Sequence, residues 1–197
     1  MKRALLGLAV ATLVVACATT TSPTGRTQYV GAVSQEQLNQ LGAQAFAEAK
    51  AKEKLSTDAR QNTYVRCVVD AITAQLPAGW QNQWEIAVFQ DDSPNAFALP
   101  GGKIGVNTGI FTVAKNQDQL AAVIAHEIGH VVSRHHDERI TKQQGTSTLL
   151  GIGSAIVGGA YGSGAGNAAS QLGGAAAQTF YLLPNSRVQE TEADVVG

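Results

Sequence analysis

Two histidines and a glutamate near the middle of the chain have the spacing of a metal site. The sequence reads His126-Glu127-Ile128-Gly129-His130, within a stretch whose apolar residues recur at helical intervals. Residues four apart lie on the same face of a helix, so His126 and His130 can direct their ring nitrogens at one ion. Imidazole is a preferred ligand of zinc. The spacing therefore predicts a helix that carries two zinc ligands.

Glu127 lies one position around this helix, beside the ion rather than on it. From there its carboxylate can act as a general base toward a water at the metal. Two histidines at this spacing with an adjacent glutamate are the signature of zinc-dependent peptidases. The motif predicts peptide-bond hydrolysis, with His126 and His130 as ligands and Glu127 as the base.

A catalytic zinc site needs a third protein ligand and keeps the fourth position for water. All four histidines lie between His126 and His136, so the third ligand is expected to be a carboxylate on another helix. Glu190 and Asp194 are four residues apart near the end of the chain and share a helix face, whereas Glu192 points elsewhere. One of the two would bind the metal and the other would hydrogen-bond a ligating imidazole. Spacing does not decide whether Glu190 or Asp194 is the ligand. The alternative is that these residues form only the solvated acidic start of a helix, where negative charge is favourable.

The composition indicates one domain behind a leader sequence. The chain has 197 residues, of which 44% are hydrophobic and 15% charged, with a formal net charge of −1. This length suits one domain with a substantial core, and the charge offers no basic surface for nucleic acid. Lys2 and Arg3 precede the apolar run Ala4–Ala16, which is short for a membrane span and predicts a signal peptide over residues 1–16.

The predicted signal peptide ends at a cysteine. Val14-Val15-Ala16-Cys17 resembles the bacterial lipobox, in which the cysteine is lipidated and becomes the first residue of the mature protein. An ordinary signal peptide and a short membrane anchor are the alternatives. Ala18 follows the cysteine, which by resemblance to bacterial lipoproteins favours the periplasmic face of the outer membrane. Residues 17–33, with their Thr, Ser and Gly, predict the lipidated cysteine and a flexible tether. Cys67 then lacks a partner and is expected to be buried in a helix core.

The remaining residues, 34–197, predict an α+β domain. The elements expected are helices opening at Ser34 and Asp58, strands at Trp84–Val88, Phe97–Leu99 and Lys103–Asn107, a helix from Asn116 to about Ile140, and a last helix capped by Ser186. Residues 143–186 carry no charge and are rich in Gly and Ala. They predict loosely packed helices and a mobile loop near the site, with a membrane-touching hairpin as the alternative.

These motifs together resemble metallopeptidase family 48, which includes HtpX-like and CAAX-prenyl-endopeptidase-like proteins and periplasmic lipoprotein proteases. The resemblance rests on His126-Glu127-x-x-His130 with Glu190-x-Glu192-Ala193-Asp194, and on Asn95-Ala96-Phe97 with Pro100–Gly109. It implies a mainly helical, zincin-like (gluzincin) fold with a small sheet beside the active-site helix and one Zn²⁺ per chain. It also implies that Glu190 is the third ligand and Asp194 the partner of a ligating imidazole.

The resemblance further implies that one edge of the sheet is offered to the substrate. We expect an extended peptide to add a strand beside Lys103, Ile104, Gly105, Val106 and Asn107. Such binding through the backbone tolerates varied side chains and suits unfolded polypeptides. The predicted function is a zinc endopeptidase acting on unfolded or misassembled envelope proteins. The alternatives are a non-catalytic zinc-bearing chaperone or binding module of the outer membrane, and a structural zinc lipoprotein.

The chain departs from the family pattern at its end. Family members usually continue for several helices, which tend to supply a residue that steadies the developing oxyanion. Because the sequence stops at Gly197, inside the last helix, we expect a fragment or a shortened member. His135 and His136 lie five and six positions past His130, off the ligand face, and are expected on the surface.

Overall fold

Five helices and two small sheets make up the described part of the chain. The computed structural model describes residues 18–81, 84–144 and 185–197. The strands are β1 (Ala18–Thr21), β2 (Thr27–Val30), β3 (Glu85–Phe89), β4 (Ala96–Leu99) and β5 (Lys103–Asn107). The helices are α1 (Gln35–Lys52), α2 (Ala59–Thr73), α3 (Gln117–Val132), α4 (residues 135–144) and α5 (Arg187–Val196), with a 3-10 turn at Thr108–Thr112. The predicted α+β class is confirmed.

The three-stranded sheet has the order β3-β5-β4. Strand β5 runs parallel to β3 and antiparallel to β4, so that Val106 lies opposite both Val88 and Ala96. The prediction that a substrate would pair beside Lys103–Asn107 is wrong, because β5 is the central strand and its backbone is bonded on both sides. Among the described residues, β4 is an edge strand of this sheet.

Helices cover both faces of this sheet. On one face, Phe46 of α1 packs edge-on against Phe89 and Phe97. On the other face lie α2 and α3, whose buried residues join those of the strands in one core: Val65, Val69, Val88, Ala98, Ile104, Val106, Leu120, Ile124 and Ile128. The core thus holds α3 against the sheet and fixes the helix that carries the histidine motif.

Local capping sets where the helices begin. Ser34 and Gln37 form the predicted capping box at α1, each side chain accepting from the backbone N–H of the other. Asn116 caps α3, as predicted, and Asp58, where the sequence predicted that α2 begins, is the cap of that helix. These caps supply acceptors for N–H groups that the first turn of a helix leaves unpaired.

Cys67 is exposed, so the prediction that it is buried is wrong. The buried face of α2 is formed by Val65, Val68 and Val69. A residue two positions after Val65 lies about 200° around the helix and therefore faces away from that side chain. The prediction failed because residues next to one another in the sequence lie on different faces of a helix, so apolar neighbours do not imply that Cys67 is on the apolar face.

Strands β1 and β2 form an antiparallel hairpin, with Ala18 opposite Val30 and Thr21 opposite Thr27. The sequence predicted a flexible tether here, but the hairpin packs onto the domain. The Gln28 side chain is buried and donates to the Ser133 carbonyl at 2.7 Å. The hairpin contacts residues more than a hundred positions later in the sequence. Local composition therefore could not show that this segment packs onto the domain. The domain boundaries at residues 16/17 and 33/34 stay predictions.

The helix of the histidine motif ends at Val132, although the sequence predicted that it continues to about Ile140. Ser133 and Arg134 form a turn, and the Arg134 backbone is left-handed with φ of 56°. Helix α4 starts immediately afterwards at residue 135. Left-handed backbone is unfavourable for arginine by about 1–2 kcal/mol. An ion pair of 2.6 Å between Arg134 Nη2 and Asp137 Oδ2 supports the turn.

The predicted signal peptide, the predicted lipidation site Cys17 and residues 145–184 lie outside the described residues. Within the described ranges, no helix combines the length and apolar character needed to cross a membrane.

Candidate metal centre

Helix α3 presents both histidines of the motif on one side. The Nε2 atoms of His126 and His130 lie 3.1 Å apart. His130 is buried, whereas the His126 side chain keeps 25% of its surface exposed. Burial, with the neighbouring His135, lowers the pKa of His130 to about 4, so this imidazole is neutral at pH 7. A neutral imidazole is the form that binds metal.

Helix α5 brings the carboxylates to α3. Ser186 begins it with the predicted N-cap and forms a capping box with Gln189. Oε2 of Glu190 lies 3.2 Å from Nε2 of His126, and Oε1 lies 3.7 Å from Nε2 of His130. Oδ1 of Asp194 lies 2.7 Å from Nδ1 of His126. The structure therefore brings the three predicted ligands together. Asp194 lies at the other ring nitrogen of His126, on the side away from the other ligands.

The spacing of the donor atoms fits zinc. Ligand atoms of His126, His130 and Glu190 all lie within 4.8 Å of one another. A tetrahedral ion with bonds of about 2.0–2.1 Å separates its ligand atoms by about 3.3–3.4 Å. The two Nε2 atoms, 3.1 Å apart, and Glu190 Oε2, 3.2 Å from Nε2 of His126, are close to this spacing. The Glu190 oxygen nearer to His130 is Oε1, at 3.7 Å from its Nε2. Two imidazoles, a carboxylate and a place for water are the donor set of catalytic zinc sites.

Hydrogen bonds at the other ring nitrogens direct both Nε2 atoms at this point. A carboxylate only accepts, so Nδ1 of His126 carries the proton and donates to Asp194. Nδ1 of His130 lies 2.7 Å from Nδ1 of His135. The Asn185 amide nitrogen approaches Nε2 of His130 at 3.2 Å, and an ion bound at Nε2 would replace this hydrogen bond.

Glu127 lies next to the ligands and is partly buried. Burial raises its pKa to about 7, against the effects of nearby His126 and of a hydrogen bond from the Ala98 backbone. A general base works best when its pKa is close to the working pH. The hydrogen bond also ties Glu127 to β4, since Ala98 lies in that edge strand.

His135 and His136 are buried, with 0% and 6% of their surface exposed, so their predicted surface position is wrong. The turn at Ser133–Arg134 redirects the chain, and helical spacing counted from His130 no longer applies. His135 instead connects Nδ1 of His130 with Glu192, whose Oε2 lies 3.0 Å from its Nε2.

Glu192 points away from the ligand face, as predicted, but into a buried ion cluster. Arg26 donates to Glu192 Oε2 through Nη2 at 2.7 Å and binds Glu138 with both terminal nitrogens. Burial raises the pKa of Glu192, but hydrogen bonds from Ser22, Thr24, His135 and Arg26 outweigh it and bring the pKa to about 2.

The sequence analysis did not find His135, Arg26 or Asn185. No glycine or asparagine marks the turn at Arg134, so nothing local indicated that His135 returns to His130. Arg26 lies in a segment of tether-like composition. Asn185 immediately precedes the Ser186 cap, and its place at the start of the acidic helix is the sequence signal that could have identified it.

Comparison with known proteins agrees with this geometry. The profile of Peptidase family M48 matches residues 59–197. The mitochondrial metalloendopeptidase OMA1 of Schizosaccharomyces pombe is 40% identical over 115 residues, which cover 58% of this chain and 32% of that protein. OMA1 of Arabidopsis thaliana is 37% identical over 114 residues, 58% of this chain and 21% of that protein.

A bacterial protein is also similar. The beta-barrel assembly-enhancing protease of Escherichia coli is 37% identical over 67 residues, 34% of this chain and 14% of that protein. The chain thus matches about a third or less of the length of each relative. Since the family profile spans more than half of the sequence and includes both the histidine motif and the acidic helix, this chain belongs to peptidase family M48.

Proposed function

We propose that this chain is a zinc-dependent endopeptidase. The observation that carries the proposal is the convergence of His126, His130 and Glu190, from two helices, within 4.8 Å. Membership of family M48 supports the same reaction class. Zinc is the ion that best fits two imidazoles and one carboxylate at this spacing.

The ligands and Glu127 would have different roles in peptide-bond hydrolysis. His126, His130 and Glu190 would hold one zinc ion, which when bound polarises the scissile carbonyl and acidifies water. Glu127 takes the proton of the attacking water and delivers it to the leaving amine. Burial, which raises the pKa of Glu127 to about 7 in the metal-free protein, favours the uptake of this proton.

The substrate would bind along β4 rather than β5. Just before β4, Asn107 N donates to the Asn95 carbonyl at 2.9 Å, so that position 95 of the register is one where the backbone bonds toward β5. Because hydrogen-bonded pairs alternate in antiparallel strands, Ala96 and Ala98 direct their backbone groups away from β5. Ala98 is also the strand residue that contacts Glu127. A peptide added at this edge would therefore pass the base.

The biological role proposed is quality control of envelope proteins. Binding through the peptide backbone suits unfolded chains of varied sequence. A similar bacterial protein is named a beta-barrel assembly-enhancing protease, which supports an envelope role. The lipobox-like sequence at Cys17 supports attachment to the outer membrane on its periplasmic side.

Cleavage of fluorescently labelled casein by the Glu127→Gln variant tests the enzymatic proposal. We expect the variant to keep one zinc per chain while its rate falls by about 10²–10⁴, the usual contribution of general acid–base catalysis. Glu48→Gln, an exposed change of the same type on α1, is the matched control and should cleave normally.

Two outcomes would favour the alternatives. A zinc-loaded wild type that binds casein without cleaving it would indicate a chaperone or binding module. A fourth protein ligand, revealed by X-ray absorption of the zinc-loaded protein, would indicate a structural site.

Fractionation of expressing bacteria tests the location. Wild-type protein should accompany the outer membrane, and Cys17→Ser should release it to the soluble fraction, because lipid attachment at the thiol is lost. Cys67→Ser is the control and should not change the distribution. A wild type found in the soluble fraction would contradict the lipid anchor.

A further inference from the structure

The two histidines of the centre have different partners at Nδ1. Asp194 accepts directly from His126, at 2.7 Å. His130 contacts a third imidazole, that of His135, at the same distance. His135 is fully buried, and the proposed reaction assigns it no role.

We propose that His135 is a positioning residue, which accepts the Nδ1 proton of His130 and is itself held by Glu192 and Arg26. This inference rests on the proposed function only in requiring an ion at His126, His130 and Glu190. Like Asp194, His135 would fix the orientation of a ligating ring.

The distribution of protons follows from the contacts. His130 can bind an ion through Nε2 only if its proton is on Nδ1, and that proton then points at Nδ1 of His135. His135 Nδ1 must accept, so its own proton is on Nε2, which lies 3.0 Å from Glu192 Oε2. The carboxylate oxygen is an acceptor. Each bond in this series has one donor and one acceptor, so the series is consistent throughout.

The series of hydrogen bonds continues from Glu192 to residues of the N-terminal hairpin. Glu192 accepts from Arg26 Nη2 at 2.7 Å, from Arg26 Nε at 3.1 Å and from Thr24 Oγ1 at 2.6 Å. Arg26 is held in turn by both carboxylate oxygens of Glu138, at 2.8 and 2.9 Å. Charge-assisted bonds of this kind are shorter and stronger than neutral ones. The hairpin therefore supports the metal centre indirectly, through Glu192 and His135. It precedes the segment that the family profile matches.

Leucine and asparagine at position 135 give a matched pair for the test. Their side chains have similar size and shape, but the asparagine Oδ1 can accept from His130 Nδ1 and leucine cannot. We expect His135→Leu to weaken zinc binding about 10- to 100-fold, the usual effect of losing such a partner. His135→Asn should restore most of the affinity. The measurement is competition for zinc against a chromophoric chelator, which needs no peptidase activity.

Ile140→Val is the control for general loosening of this region. Ile140 is buried on the same helix as His135, but it packs in the separate core cluster that contains Phe46 and Phe89. Losing one methyl group should cost about 0.5–1.5 kcal/mol of stability and leave zinc affinity nearly at the wild-type value. Equal losses of affinity in His135→Leu and His135→Asn, or an equal loss in Ile140→Val, would overturn the proposal.

A measurement on the zinc-loaded wild type covers the case in which a variant does not fold. Long-range ¹H–¹⁵N NMR spectra should show His130 protonated on Nδ1 and His135 protonated on Nε2. A proton on Nδ1 of His135 would overturn the proposal. A wild type that binds zinc with these tautomers but cleaves no peptide would leave the positioning role intact and count against the peptidase proposal.

Discussion

Gly129 of α3 and Ala193 of α5 meet backbone to backbone. A Cβ atom on Gly129 would lie 2.9 Å from the Ala193 carbonyl oxygen and 3.3 Å from its Cα. Ala193 stands directly before Asp194 and three residues after Glu190. The absence of a side chain at Gly129 therefore allows the acidic helix to approach the histidine helix closely enough for its carboxylates to reach the imidazoles.

Gly129→Ala should destabilise the protein although alanine is the better helix former. We expect a loss of about 1–3 kcal/mol in the free energy of unfolding, the usual result of overpacking. Zinc affinity should fall too, because α5 must shift. Urea unfolding of the metal-free protein and chelator competition measure the two effects. Ala122→Gly, on the exposed side of α3, is the control: it should lower stability by about 0.5–1 kcal/mol and leave zinc affinity unchanged.

Asp194→Ala should weaken zinc binding with little effect on folding. The Asp194 side chain is 71% exposed, so its removal disturbs no core, but His126 loses the acceptor of its Nδ1 proton. We expect a loss of about 10- to 100-fold in affinity, measured by chelator competition. Val195→Ala, an exposed neighbour, should have no effect. Wild-type affinity in Asp194→Ala would show that this carboxylate does not support His126.

Ala96→Pro should impair substrate binding while the sheet stays intact. The N–H of Ala96 faces away from β5, so proline removes a group available to the substrate and no bond of the ladder. One hydrogen bond of about 1 kcal/mol predicts a fall in kcat/KM of about three- to tenfold. Casein cleavage and circular dichroism are the measurements. Phe97→Pro, one residue later, removes a ladder bond and should unfold the sheet. Unchanged kcat/KM in a folded Ala96→Pro would place the substrate elsewhere.

Acid should unfold the metal-free protein partly through Glu138. Burial raises the pKa of this group, but hydrogen bonds from Arg26, Lys142 and Gln189 outweigh it and bring the pKa from 4.5 to about 2. The unfolded chain therefore takes up the proton first as pH falls. The stabilisation is complete above about pH 4.5, is lost toward pH 2, and amounts to roughly 3 kcal/mol at most.

Glu138→Gln should therefore be less stable at pH 7 and lose less stability between pH 5 and 2. Urea unfolding with a chelator present measures this. Some loss will remain in the variant, since Glu192, with its pKa of about 2, titrates over the same range. Glu48→Gln is the exposed control and should follow the wild-type curve. Parallel curves for wild type and Glu138→Gln would show that the Arg26 cluster does not govern acid stability.

Residues of the centre that follow a helical period could be predicted. His126 and His130 share a face because they are four apart, and so do Glu190 and Asp194. Spacing left the roles of the two carboxylates open, and the resemblance to the family assigned them. The three strands of the larger sheet were also correct within one residue, because alternation and turn residues are local signals, whereas β1 and β2 were not predicted.

The errors concern partners distant in the sequence. Nothing in Lys103–Asn107 indicates that β5 lies between two other strands, because strand order depends on how the whole chain folds. Nothing around Arg26 indicates Glu138 and Glu192, which lie 112 and 166 residues away. His135 was misplaced because a left-handed arginine, for which the sequence has no marker, ends the helix before it.

The sequence by itself determined which side chains share a helix face and hence the donor set of the centre, because helical geometry depends on neighbouring residues. Tertiary structure decided how the histidine face of α3 meets the acidic face of α5 and which edge strand passes Glu127. It also decided that the N-terminal hairpin supports His130 through Glu192 and His135. These features arise from the strand order of the sheet, from close packing at Gly129 and from buried ion pairs between distant segments. Such contacts form only when the chain has folded, so no local pattern encodes them.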